Sequence, residues 1–184
     1  MSDPGRLAGI AGRGLGLLIL LGLAWQVMAQ GLRPQGGGFL GFIHGVDLIF
    51  HEAGHVIFGF FGEFVAVLGG SLNQVLIPAI ATTAFLRTRQ WASAAVALFW
   101  TGQSLTDVGV YAADGRARAL PLLAEGLIHD WNYILGRLGL LGSAETVGRL
   151  IFGAGALVML AALLLLALEV LRCWNAPAED ARTR

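Results

Sequence analysis

The chain has 184 residues, 56% of them hydrophobic and only 13% charged, with 12 basic and 12 acidic residues and a mean hydropathy of +0.71. A soluble domain carries roughly 25% charged residues, so this composition argues against that class, and with zero net charge nothing points to a nucleic-acid partner. The single cysteine, Cys173, excludes both an internal disulfide and a thiolate zinc site.

The apolar residues occur in runs long enough to cross a bilayer, which takes about 20 helical residues. The first run, 14–32, is longer than the core of a cleaved signal peptide and reads as a retained helix. Arg33, Pro34 and the glycines at 36–38 close it. The second run is 39–64. The third, 71–86, begins after Gly69 and Gly70 and is closed by Arg87 and Arg89. The fourth is 91–112. The stretch 119–141 is apolar but interrupted by Pro121, Glu125, His129, Asp130 and Asn132, so it either spans or dips in and returns. The last run, 150–174, is the cleanest spanning segment, with Glu169 expected at an interface. The expectation is a single all-α integral membrane domain over 1–184, a polytopic bundle of five to six transmembrane or re-entrant segments. Arginines in alternate loops balance and leave its orientation open. The 27 glycines suit close helix packing in lipid.

The second run contains His51-Glu52-Ala53-Gly54-His55, an HExxH pattern. On an α-helix the two histidines lie about 40° apart around the axis and roughly 6 Å along it, so both imidazoles can bind one Zn²⁺. Glu52 falls beside them. Its carboxylate can hold a metal-bound water, take its proton as the water attacks a carbonyl, and return it to the leaving amine. Ionisable groups within a membrane helix are costly, about 2.5–3.5 kcal/mol for Asp on the insertion scale, and need a compensating partner; a metal serves both histidines at once. Asp47 either accepts the second ring proton of His51 or faces water near the membrane surface, and His44 is expected at that surface.

A catalytic zinc needs a third protein ligand and an open position. His129 is favoured, as the fourth histidine in a chain with so few and with Asp130 beside it to orient it. Asp107 and Asp130 are the alternatives. Asn73 and Gln74 either hydrogen-bond the backbone of an extended substrate or bridge two helices.

In its HEAGH segment the chain resembles the site-2 protease class of intramembrane zinc metallopeptidases, the M50-like enzymes. The wider pattern of GGSLNQ, WTGQSLTDVGVYAADGRARALPLL and HDWNYIL also looks like that of small bacterial membrane proteins with an HEAGH motif. The first resemblance implies His51 and His55 as zinc ligands, Glu52 as general base, and a membrane-embedded or membrane-proximal peptide as substrate. It also implies residence in a bacterial inner membrane. That class takes its third ligand from an Asp in an Asn-Pro-Asp-Gly or Leu-Asp-Gly motif, neither of which occurs here; Asp107-Val108-Gly109 is the nearest echo. Two other functions use the same ligands: a non-catalytic metal sensor, carrier or assembly factor, and a zinc hydrolase of a non-peptide bond.

Overall fold

A computed structural model describes residues 4–34, 37–121 and 128–175, and these residues are helical with no strand among them. Six α-helices follow in order: α1 Pro4–Gln30, α2 Gly38–Phe58, α3 Glu63–Arg87, α4 Trp91–Asp114, α5 Asp130–Arg137 and α6 Ala144–Asn175. Among the described residues, α1, α3 and α6 are long and apolar enough to cross a membrane, and the protein is read as a membrane protein on that ground. Their outward faces expose Leu18, Ile80, Leu157 and Leu164, as lipid contact requires. The polar residues of α2 and α4 keep those two helices below the same measure, so the expectation of five or six spans is met here by three.

Several segment boundaries move: α1 begins at Pro4 rather than at 14, and α6 at Ala144 rather than at 150. The second run stops at Phe58, followed by a 3₁₀ turn over Gly59–Phe61 and by Gly62, whose φ of +94° only glycine adopts readily. Conversely, α3 runs straight through Gly69 and Gly70, which were expected to precede it. Inside a helix whose neighbour lies this close, a missing side chain serves contact rather than a turn. The fifth run yields only the eight-residue α5, about 12 Å long and too short to span; its portion at 122–127, with Glu125, lies outside the described residues.

α4 forms the centre of the bundle and touches every other helix. Its seam with the antiparallel α6 is built on glycines seven residues apart in both helices: a Cβ on Gly102 would lie 2.8 Å from Gly155 O, and one on Gly109 2.8 Å from Gly148 O. Backbones meet there directly, the close packing that membrane helices use in place of a hydrophobic driving force. At the far end of the bundle Arg6 of α1 donates to the carbonyls of Cys173 and Trp174, capping α6. Glu169 is buried beside this end and paired with Arg172 at 2.8 Å.

The antiparallel α2 and α3 share a second close contact. A Cβ on Gly54 would stand 2.2 Å from Gly69 O. This approach brings the polar face of α2 against Gly70, Asn73 and Gln74, and so positions the site.

Candidate metal centre

His51 and His55 sit one turn apart on α2 with ring centroids 4.9 Å apart, edge to face. The backbone of α3 and its side chains fix both rings. His55 Nδ1 lies 2.9 Å from Ala66 O, a carbonyl that can only accept, so Nδ1 carries the proton. His51 Nδ1 lies 3.2 Å from Gln74 Oε1, another oxygen that only accepts. Both rings therefore turn their Nε2 atoms into the same space.

That space exists because residue 70 is glycine. A Cβ there would stand 2.6 Å from His51 Nε2 and 2.7 Å from both Nε2 and Cε1 of His55. Ala66, Gly70 and Gln74 recur every four residues along α3, so one stripe of that helix supplies an acceptor, a gap and a second acceptor.

The third group is Asp130, at the start of α5. Its Oδ2 is 2.7 Å from His51 Nε2 and 3.4 Å from His55 Nε2. Trp131 anchors α5 to α3 by donating to Ser71 Oγ at 3.1 Å, and Tyr111 Oη accepts the Asp130 backbone N–H at 3.2 Å.

His129, favoured above as third ligand, points elsewhere. It caps the N-terminus of α5, its Nδ1 accepting from Asn132 N at 3.3 Å, and its Nε2 donates to Asp114 Oδ2 at 3.1 Å. Both ring nitrogens are spent, because the residue before a helix is drawn into satisfying the helix's free N–H groups. The next residue carries its carboxylate to the histidines. Asp107 also stays out: its Oδ2 binds His44 Nδ1 at 2.7 Å and Gln74 Nε2 at 3.2 Å.

Of three further expectations, that for Asp47 changes, that for His44 holds in part, and Asn73 takes the helix-bridging one of its two roles. Asp47 neither reaches His51 nor faces water; it is fully buried and accepts from Trp100 Nε1 at 2.8 Å, because Gln74 of the closer helix already occupies His51 Nδ1. His44 is half exposed but tied to Asp107. Asn73 donates to Phe50 O at 2.7 Å and so bridges α2 and α3. Gln74 likewise bridges helices, reaching His51 and Asp107; Gly70 and Tyr111 are the site neighbours whose roles the sequence left unread, and for Gly70 the four-residue spacing with Ala66 and Gln74 was the available signal.

The residues present fit a divalent cation. A neutral imidazole has one N–H, yet each of these rings faces acceptors at both nitrogens. That arrangement demands two extra protons or one divalent ion between the Nε2 atoms and the carboxylate. Of the two gaps, the 3.4 Å from His55 Nε2 to Asp130 Oδ2 is about the edge of a zinc tetrahedron, roughly 3.3 Å, whereas the 2.7 Å from His51 Nε2 is a hydrogen-bond distance that would have to lengthen around an ion. Glu52 completes the group: ligating atoms of His51, Glu52 and His55 all lie within 4.8 Å of one another. These residues open onto a cavity of about 970 Å³ whose other walls are mainly apolar, among them Leu48, Val67, Val108 and Leu120.

No family model, no curated protein and no solved structure matches this chain.

Proposed function

We propose that the protein is a zinc-dependent intramembrane metallopeptidase, in which His51, His55 and Asp130 hold the ion and Glu52 is the general base. The observation that carries this reading is the convergence of two Nε2 atoms beside the gap left by Gly70, with one carboxylate oxygen within 3.4 Å of both. Two histidines, one carboxylate and an open side form the ligand set of catalytic zinc, and the open side here faces the cavity. Bound zinc supplies Lewis-acid activation of water and polarises the scissile carbonyl.

The chain's own residues do the rest. Glu52 stands exposed to the cavity beside both histidines, able to take a proton from the attacking water and pass it to the departing amine. The apolar walls accept a membrane-embedded or membrane-proximal segment and keep bulk water from competing. In this reading α2 and α4 cross the bilayer with α1, α3 and α6, their polar residues turned inward, while α5 is a short re-entrant element that delivers Asp130. That is a polytopic membrane protein; its placement in a bacterial inner membrane and its membrane-peptide substrate rest on the resemblance of the HEAGH segment alone.

The test uses purified protein returned to lipid vesicles with a mixture of membrane-derived peptides. Mass spectrometry should find new peptide ends, lost on chelation and restored by zinc. Cleavage indifferent to chelation would refute the zinc mechanism.

A further inference from the structure

Gln74 stands between two groups of different chemistry, and this fixes the direction of its amide. The Asp107 carboxylate 3.2 Å away only accepts, so the Gln74 NH₂ must face it, leaving Oε1 toward His51 Nδ1 at 3.2 Å. Asp107 is itself held at the same oxygen by His44 Nδ1 at 2.7 Å. A directed chain therefore runs His44, Asp107, Gln74, His51, across three helices and along one wall of the cavity.

From this chain we infer that Gln74 is a positioning residue for the metal, with Asp107 and His44 as its support. Gln74 Oε1 keeps the His51 proton on Nδ1 and so leaves Nε2 as the nitrogen with a free lone pair. Amide rotation would present an NH₂ to Nδ1, move the ring proton to Nε2 and remove the ligand. Asp107 prevents that rotation, since an inverted amide would set Oε1 against its carboxylate. His55 needs no such device, because its partner is a backbone carbonyl with no alternative role. The chain also accounts for Asp107, a buried carboxylate placed beyond reach of the proposed ion.

This inference rests on the metal reading above, and its test separates the two. Zinc affinity is titrated against a competing chelator for the wild type, Gln74→Leu and Gln74→Glu in detergent. Gln74→Leu, close in size and without an acceptor, should bind zinc about 10–100-fold more weakly, the usual effect of losing the partner of a ligating histidine. Gln74→Glu should recover most of that affinity, since a carboxyl sharing a proton with Asp107 still offers an oxygen to Nδ1. The ring ¹⁵N spectrum of the zinc-loaded wild type should show His51 protonated at Nδ1 and ligated through Nε2, a readout that does not depend on any variant folding. Equal zinc binding by wild type and Gln74→Leu, or ligation through Nδ1, overturns the inference alone. A wild type that binds no zinc overturns the metal reading itself.

Discussion

Gly70→Ala should abolish zinc binding while leaving the protein folded. The added methyl would stand 2.6 Å from His51 Nε2 and 2.7 Å from His55 Nε2, inside contact distance of both and in the space proposed for the ion. Neither ring can swing away without cost. His51 would break from Gln74 Oε1, and His55 from Ala66 O. Relaxation by α3 is opposed by the adjacent contact, where Gly69 and Gly54 already meet backbone to backbone. The loss in zinc affinity should be roughly 100-fold or more, at or beyond the upper end of what disturbing the partners of a ligating histidine costs. Helix propensity works in the opposite direction: alanine is favoured over glycine by about 1 kcal/mol within a helix, so helical content should hold. Chelator-competition titration and circular dichroism on the same sample check both halves. A Gly70→Ala protein that binds zinc like the wild type would remove the gap from the argument.

Glu52→Gln should retain zinc and lose hydrolysis. The amide has the shape of the carboxylate but cannot take a proton from water, and general base catalysis contributes about 10²–10⁴-fold. Glu52 is exposed to the cavity, and none of the described hydrogen bonds or ion pairs of the core depends on its charge, so the variant should fold and bind metal unimpaired. Peptide release measured at saturating zinc is the check. Equal rates in wild type and variant would deny Glu52 its role. If zinc binding and a cellular phenotype both survived the substitution while no cleavage was seen in either protein, the non-catalytic metal carrier would be the better account.

Much of the local geometry was legible in the sequence. HExxH on an apolar helix sets the two imidazoles one turn apart, and they do meet edge to face. The apolar runs become helices, with boundaries close to the expected ones for α4 and for the end of α6. What could not be read was set by packing between helices. Gly69 and Gly70 look like a break to any reading of one segment, because glycine weakens a helix; only the proximity of α2 makes their bare backbone useful. The choice between His129 and Asp130 turned on a single residue at the start of α5. The residue that caps a helix spends its side chain on the helix, and the next one is free to reach outward. Asp47 was misplaced for a related reason: a partner on its own helix was considered for His51, while the neighbouring helix had brought a nearer one.

The claim on which this account depends is that two imidazoles and the Asp130 carboxylate hold one divalent ion in the gap beside Gly70. The most direct measurement is the zinc content per chain of protein purified in detergent, loaded and freed of excess metal, for the wild type and for His51→Ala and Asp130→Ala. The account predicts one tightly held zinc in the wild type and almost none in either variant. A wild type that retains no zinc, or an Asp130→Ala protein that retains it undiminished, would contradict it.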